Sequence, residues 1–298
     1  MNYTVTGATG HLGRIVVQDM LKMVGAESLR AAVHTPAKAA ALRQQGIATV
    51  KADYLDVPTM VDALQGTDVL IYIPSKTYDV LQRVTEFENT LTAMKAANVS
   101  QIVFVSFYAD QEDNPFTMSP YYAYAPRRLA GSGLQYAVVK NALYADPLVP
   151  YLPELIERQA LIYPVGDAAM SFIAQNDSAE AIATVAVKPE LRGAGQVYTV
   201  TQNEAYTMPR LGEVMTAVTG RTIGYQPVSV AEFGRIYAAE GDGDELGSMY
   251  AGGAKGELGL MTDDFKTITG RNPEDMTHFF ENTVSTLTTI LLRRTRDA

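Results

Sequence analysis

The sequence has no cysteine, no tryptophan and only three histidines among its 298 residues. Without cysteine the chain forms no disulfide, offers no thiolate to a metal and has no cysteine nucleophile. The histidines lie far apart and lack the spacing of metal ligands; they are His11, His34 and His278. We therefore expect no metal site.

Long hydrophobic runs are also missing. No apolar segment approaches the roughly 18 residues that a membrane-spanning helix requires. The strand-like stretch Tyr3–Thr6 leaves no room for a signal peptide ahead of it. These features predict a cytoplasmic protein that does not enter a membrane.

Positive charge is scarce, with 24 Lys and Arg against 33 Asp and Glu and a net charge of −9. A negatively charged protein repels a phosphate backbone. The basic clusters are confined to Arg127-Arg128 and to residues 293–296, so nucleic acid is not an expected partner. The sequence leaves open whether the protein is a monomer or a homodimer.

The first half alternates short apolar runs with amphipathic stretches. The strand-like runs are Tyr3–Thr6, Leu29–His34, Thr49–Ala52, Val69–Ile73, Gln101–Ser106 and Gln135–Lys140. The helical stretches are 12–23, 37–45, 57–65, 79–97 and 126–131. Continuous apolar strands separated by helices predict an α/β fold with a doubly wound parallel sheet that is covered on both faces.

The pattern changes after about residue 140. Prolines cluster at 147, 150, 153 and 164, and strand-like runs remain at Ala160–Pro164, Gln196–Thr201 and Ile223–Gln226. Helices are predicted at 208–218, 229–239 and 274–292, while Gly241-Asp242-Gly243 and Gly252-Gly253 predict flexible loops. We expect residues 146–298 to form a smaller α/β lobe that carries substrate determinants, with some elements returning to the main sheet.

A glycine motif follows the first strand directly and precedes a helix. Gly7 allows a sharp turn, Gly10 lets a phosphate approach the backbone, and Gly13 lets the helix pack against the strand. The helix N-terminus supplies free N–H groups to phosphates. In this context the motif predicts a dinucleotide-binding turn, and residues 1–145 are predicted to form an NAD(P)-binding Rossmann-type domain.

The end of the second strand bears on the choice of cofactor. NAD-binding sites usually place a carboxylate there, but residues 31–38 contain none. His34, Thr35 and Lys38 instead offer contacts to a 2′-phosphate, and a histidine is partly charged near neutral pH. We therefore expect NADP(H) to be favoured, more strongly at lower pH, with NAD(H) still possible. The alternative is that His34 and Lys38 are merely solvated.

Several segments together carry a resemblance to a known family. They are Thr6–Gly13, Pro36-Ala37-Lys38, Ala52-Asp53-Tyr54, Lys140–Tyr144, Gln226–Ser229 and Lys255-Gly256-Glu257. Over nearly its whole length the chain resembles the NmrA-like atypical short-chain dehydrogenases, and among them the bacterial type-two quinone oxidoreductases and the triphenylmethane reductases. It departs from the family at His34, where an arginine is common, and at Arg127, where the reductases often have lysine.

The resemblance implies a role for each matched position. The residues implied to line the pyrophosphate are Gly7, Thr9, Gly10, His11 and Leu12. The adenine is implied to lie against Asp53 and Tyr54, and the ribose and phosphates along Ile73, Pro74 and Ser75. The nicotinamide is implied to lie beside Ser106 and Phe107. Arg127 is also implied at the cofactor. Tyr108 and Tyr144 are implied to line the substrate pocket together with Asn141.

A catalytic acid or base is harder to identify. Tyr124 and Arg128 have the Tyr-x-x-x-Lys spacing of ordinary short-chain dehydrogenases, but we expect the helix to start near Pro126, which leaves Tyr124 outside it. The candidate catalytic residues are Tyr124, Arg127 and Asn141. A quinone accepts hydride readily, so orientation in an aromatic pocket is the alternative to acid catalysis.

Two functions remain open. The first is an NAD(P)H-dependent reductase whose substrate is a quinone or a similar small aromatic acceptor. The second is a non-catalytic NADP(H)-binding redox sensor of the NmrA type, which the missing Tyr/Lys pair favours. The resemblance to reductases through the C-terminal lobe favours the enzyme. A sugar-nucleotide epimerase would need the intact Tyr-x-x-x-Lys pair.

Overall fold

A parallel sheet forms the centre of the protein, whose computed structural model describes residues 1–283. The strands are β1 Tyr3–Thr6, β2 Leu29–Val33, β3 Ala48–Lys51, β4 Val69–Tyr72, β5 Gln101–Phe107, β6 Gln135–Asn141, β7 Leu143–Tyr144, β8 Ala160–Leu161, β9 Met170–Ile173, β10 Gln196–Val200, β11 Ala205–Tyr206 and β12 Gly224–Tyr225. Seven of them pair in the order β10-β6-β5-β4-β1-β2-β3. All their pairings are parallel.

Helices connect these strands and cover the sheet. They are α1 His11–Val24, α2 Ala40–Gln44, α3 Val57–Leu64, α4 Val80–Ala96, α5 Ser119–Ala130, α6 Leu148–Arg158, α7 Gln175–Val187, α8 Met208–Thr219, α9 Val230–Ile236, α10 Gly243–Ala254 and α11 Asp264–Thr269. Residues 276–283 are also helical, so the predicted helix 274–292 begins two residues later than predicted, and its part beyond residue 283 lies outside the described residues.

The strand order changes direction between β1 and β4. The chain moves outward from β1 to β2 and β3 on one side, and from β4 to β5 and β6 on the other. Right-handed crossovers then place α1 and α4 on opposite faces, where α1 packs on α7 and α4 packs on α3 and α5. The predicted doubly wound sheet is confirmed. Ligands bind such sheets in the crevice beyond the carboxyl ends of the strands at this switch point.

The second half of the chain contributes a strand to this sheet and forms most of two smaller sheets. β10 pairs with β6 in the main sheet. The rest forms a three-stranded sheet, β11-β9-β7, and a two-stranded sheet, β12-β8. The division at residue 145 stays a prediction. Within residues 1–283, no helix has the length and apolarity needed to cross a membrane.

Helix α5 is longer than predicted, because it begins at Ser119 and contains Pro126 rather than starting there. Proline inside a helix costs about 3 kcal/mol. Tyr121, Ala125 and Leu129 recur at helical spacing and are fully buried, so their packing offsets that cost. Tyr124 consequently lies within the helix, contrary to the prediction.

The sequence predicts a loop at the glycine pair Gly252-Gly253, but in the structure both residues lie within α10. A Cβ on Gly252 would lie 2.6 Å from the Asn114 side-chain oxygen, and one on Gly253 would lie 3.1 Å from Met170 Sδ. The glycines therefore let α10 pack closely, and Lys255 secures its end through an ion pair of 2.7 Å with Asp113.

Candidate functional site

The glycine turn forms a cradle at the switch point. Gly7 has a φ of +63°, which favours glycine, and the Gly10 amide donates to the Gly7 carbonyl at 2.9 Å. A Cβ on Gly13 would lie only 2.1 Å from the Gly7 carbonyl oxygen. Helix α1 begins at His11, so its first amides point at the turn without helical acceptors. The cradle fits a pyrophosphate.

The segments that follow β2 and β3 bring His34 and Asp53 together. His34 and Lys38 are exposed, and His34 Nδ1 lies 3.2 Å from Thr35 Oγ1. His34 Nε2 also lies 3.6 Å from Asp53 Oδ2. The carboxylate that residues 31–38 lack is therefore supplied by the next strand, and sequence spacing gave no indication of this contact. Since its Oδ1 accepts from the Leu55 amide, Asp53 is held in place.

Tyr54 closes the crevice between β3 and β4. Its hydroxyl donates to the Ile73 carbonyl at 2.6 Å, and Asn89 Nδ2 donates to the Tyr54 carbonyl at 2.9 Å. Burial raises the pKa of Tyr54. The Ile73 amide donates to Thr6 Oγ1 at 3.0 Å. Tyr54 and Ile73, both predicted at the cofactor, thus meet beside the glycine turn.

Ser75, also predicted at the cofactor, is tied to a buried acid. Its hydroxyl donates to Glu86 Oε2 at 2.5 Å, and Gln82 Nε2 donates to Glu86 Oε1 at 2.9 Å. Pro74 and Ser75 are partly exposed. This network fixes the loop that leaves β4.

The ends of β5 and β6 are joined by Asn141. Its Nδ2 donates to the Ser106 carbonyl at 3.3 Å, and its Oδ1 accepts from Ser178 Oγ at 2.6 Å. Asn141 is only 1% exposed. Its amide is therefore engaged on both sides and orients the end of β5, which does not favour the predicted catalytic contact with an acceptor. Ser106 Oγ is buried and has no hydrogen-bond partner within the described part of the chain.

Tyr108 is a core residue rather than a pocket residue, contrary to the prediction. It is 1% exposed. Its hydroxyl donates to the Leu258 carbonyl at 2.6 Å and to the Ser171 carbonyl at 3.1 Å. Burial raises its pKa. Tyr144 is partly exposed, and burial raises its pKa as well. Tyr144 therefore remains a candidate for the pocket wall.

Tyr124 and Arg128 are one turn apart in α5, but both bind Glu88 of α4. The Tyr124 hydroxyl donates to Glu88 Oε1 at 2.6 Å, and Arg128 Nε lies 2.9 Å from the same oxygen. The hydrogen bond to the Glu88 carboxylate raises the pKa of Tyr124, and burial adds to this. A raised pKa is the opposite of what a Tyr/Lys pair provides. The arrangement is therefore a helix-to-helix contact.

Arg127 points along its own helix. Its side chain is exposed, and Nη1 donates to the Ala123 carbonyl at 3.0 Å. It lies about two turns after the start of α5. The cofactor and catalytic roles of Arg127 stay predictions.

Sequence reasoning missed a buried arginine beside the crevice. Arg83 of α4 is buried, and its Nη1 donates to the Tyr122 hydroxyl of α5 at 2.9 Å. The sequence did carry a signal, because Val80, Val84 and Phe87 place position 83 on an apolar helix stripe. Tyr122 packs on Phe107 at the end of β5, with ring centroids 5.6 Å apart.

Comparison with known proteins agrees with this geometry. The NAD(P)H-binding family matches residues 7–186. Quinone oxidoreductase 2 of Escherichia coli (strain K12) is 34% identical over 266 residues, which are 89% of this chain and 91% of that protein.

Solved structures match over nearly the whole chain. A Staphylococcus aureus protein described as a nucleoside-diphosphate-sugar epimerase has a TM-score of 0.90 and 36% identity, covering 94% of this chain and all of that one (100%). An NADPH-dependent quinone oxidoreductase of Escherichia coli, solved with NADPH, has a TM-score of 0.87 and 30% identity, covering 96% and 99%. The predicted resemblance is confirmed. The chain belongs to the NAD(P)H-binding family of NmrA-like oxidoreductases.

Proposed function

We propose that the protein uses NADPH to reduce a quinone or a similar flat, conjugated acceptor. One observation carries this proposal: an aromatic wall stands at the carboxyl end of β5, in the same crevice as the glycine turn. Phe107 packs edge-on against Phe116 and Tyr122, with ring centroids 5.9 and 5.6 Å away. Aromatic rings of this kind stack well against a planar substrate.

The chain's own residues would bind and orient both reactants. The glycine turn and the first amides of α1 would hold the pyrophosphate, and Thr35 and Lys38 would hold a 2′-phosphate. The cofactor, when bound, supplies hydride. Because a quinone accepts hydride without prior activation, orientation against the aromatic wall is the main requirement.

The relatives support this choice of acceptor. One of them is named a quinone oxidoreductase, and a solved relative described as an NADPH-dependent quinone oxidoreductase holds NADPH. Epimerase chemistry is less well supported, since Tyr124, which has the spacing of the tyrosine base, is bound to Glu88.

The test follows NADPH absorbance with purified protein and a panel of quinones and triphenylmethane dyes. We expect turnover above background with at least one quinone, and a lower KM for NADPH than for NADH. Micromolar NADPH binding without turnover of any acceptor would contradict the reductase proposal and support the alternative, a non-catalytic redox sensor.

Asp53→Asn is expected to strengthen the preference for NADPH. The Asp53 carboxylate, whose Oδ2 lies 3.6 Å from His34 Nε2, repels a 2′-phosphate. Removing one negative charge should raise the affinity for NADPH relative to NADH by about three- to tenfold. Titration of each cofactor, followed by fluorescence, measures the ratio.

Asp56→Asn provides the matched control for this substitution. Asp56 is the exposed N-cap of α3, where its side chain accepts from the Thr59 amide. Asparagine caps a helix as well as aspartate does, so this substitution keeps the helix cap. It removes the same charge a short distance from Asp53. An unchanged ratio in Asp53→Asn, or an equal change in both variants, would contradict the role given to Asp53.

A further inference from the structure

A guanidinium group is buried at the mouth of the crevice without an ionic partner. Arg83 is 4% exposed, and within residues 1–283 no carboxylate forms an ion pair with it. The nearby acid Glu86 is engaged by Ser75 and Gln82 instead. Burial of an uncompensated charge is costly, so an unpaired cation here indicates a group whose charge is needed in function.

The three nitrogens of Arg83 differ in what they bind. Nη1 donates to the Tyr122 hydroxyl at 2.9 Å, and Nη2 donates to the Thr77 carbonyl at 2.5 Å. Nε is buried and has no partner among the described residues. The guanidinium carbon lies 5.3 Å and 5.8 Å from the ring centroids of Tyr121 and Tyr122. The cation is thus held rigidly against Tyr122.

Tyr122 itself is partly exposed, unlike its neighbour Tyr121. A tyrosine hydroxyl that accepts from arginine keeps its own proton free for donation. The Tyr122 ring contacts Phe107 and stacks on Phe116, with centroids 5.6 and 6.4 Å away. Its hydroxyl is therefore fixed beside the aromatic wall at which the acceptor would stack.

Two further tyrosines lie within electrostatic range of Tyr122. Burial raises the pKa of Tyr144, and Tyr122 and Asp146 add to this rise. Burial and the Asp242 charge raise the pKa of Tyr78 to about 12; Tyr122 adds to this rise and the Arg83 cation opposes it. Tyr144 and Tyr78 are thus neighbours of the Tyr122 hydroxyl.

We propose that Tyr122 is the proton donor to the reduced acceptor and that Arg83 positions its hydroxyl and balances the negative charge left on it. This proposal rests on the proposed function. Hydride transfer adds two electrons and one hydrogen to a quinone and gives a quinol anion. The O–H bond of Tyr122 then breaks as a new O–H bond forms on the acceptor oxygen. The Tyr122 oxygen keeps the electron pair, is held by Arg83 Nη1–H, and regains a proton from water.

The first test is Tyr122→Phe. The ring contacts remain and only the hydroxyl is lost, so we expect unchanged melting temperature and NADPH affinity. We expect kcat with the best quinone to fall at least about tenfold, and the solvent deuterium isotope effect on kcat to disappear. Tyr121→Phe is the matched control, because Tyr121 is fully buried and its ring centroid lies 5.3 Å from the Arg83 guanidinium carbon. The kcat of this variant should stay at the wild-type value.

The second test addresses Arg83 through rescue by a conservative variant. Arg83→Gln removes the cation that donates to the Tyr122 hydroxyl, so we expect kcat with the best quinone to fall at least about tenfold while the affinity for NADPH stays unchanged. Arg83→Lys keeps the charge and should restore kcat in part. A lysine variant that is no more active than Arg83→Gln would contradict the charge-balancing role of Arg83.

The outcomes separate the two proposals. Quinone turnover by the wild type, together with wild-type kcat and isotope effect in Tyr122→Phe, would overturn the proton-donor role and leave the proposed function intact. A wild type that binds NADPH and reduces no acceptor would overturn both.

Discussion

Replacing Gly13 by alanine is expected to abolish cofactor binding and to weaken the fold. The added Cβ would lie 2.1 Å from the Gly7 carbonyl oxygen and 2.8 Å from its carbon. Because both are backbone atoms, α1 must move away from β1 and carry its first amides out of the cradle. We expect the NADPH dissociation constant to rise at least about 100-fold and the free energy of unfolding to fall by about 1–3 kcal/mol.

Fluorescence titration with NADPH and denaturant unfolding measure these two effects. Gly131→Ala is the matched control, since Gly131 has an ordinary φ of −93° and the nearest atom to its added Cβ is 3.9 Å away. This variant should bind NADPH and unfold like the wild type. Normal NADPH affinity in Gly13→Ala would show that the glycine turn does not hold the cofactor.

Asp177→Ala should cause the largest loss of stability without touching the crevice. Asp177 of α7 is 3% exposed and accepts from Arg271 Nη2 and from the Glu274 amide, each at 2.6 Å. Its removal takes the acceptor away from Arg271 and from the Glu274 amide. Because the Arg271 side chain is 46% exposed and keeps its pair with Glu180, solvent screens part of the loss. We expect a cost of about 2 kcal/mol and a fall in Tm of about 4–8 °C.

Glu180→Ala gives the comparison for this substitution. Glu180 also pairs with Arg271, but its side chain is 32% exposed, so its loss should cost less than about 1 kcal/mol. Differential scanning calorimetry of both variants measures the difference. Equal shifts in Tm would mean that burial of Asp177 contributes nothing beyond the ion pair.

The sequence was most informative where structure is set by near neighbours. Gly7 and Gly13 lie six residues apart and the strand-turn-helix around them is local, so the cradle and the parallel sheet were both predictable. Such features depend on backbone geometry that a short segment dictates by itself.

The side chains around the acceptor depend on tertiary packing, and there the sequence was less informative. Tyr108 and Tyr122 are both aromatic and both follow β5, yet one is buried against Leu258 and the other faces the crevice. The contact between His34 and Asp53 joins two adjacent strands. Pro126 misled the placement of α5, because buried residues on that helix outweigh the preference of proline for a helix start.

A fragment that stops at residue 186, where the family match ends, would lack β10. β6 would then become an edge strand, with unpaired backbone N–H and C=O groups along Ala137–Asn141. Such an edge pairs readily with other chains. A fragment that keeps β6 paired therefore has to extend through Val200, the last residue of β10.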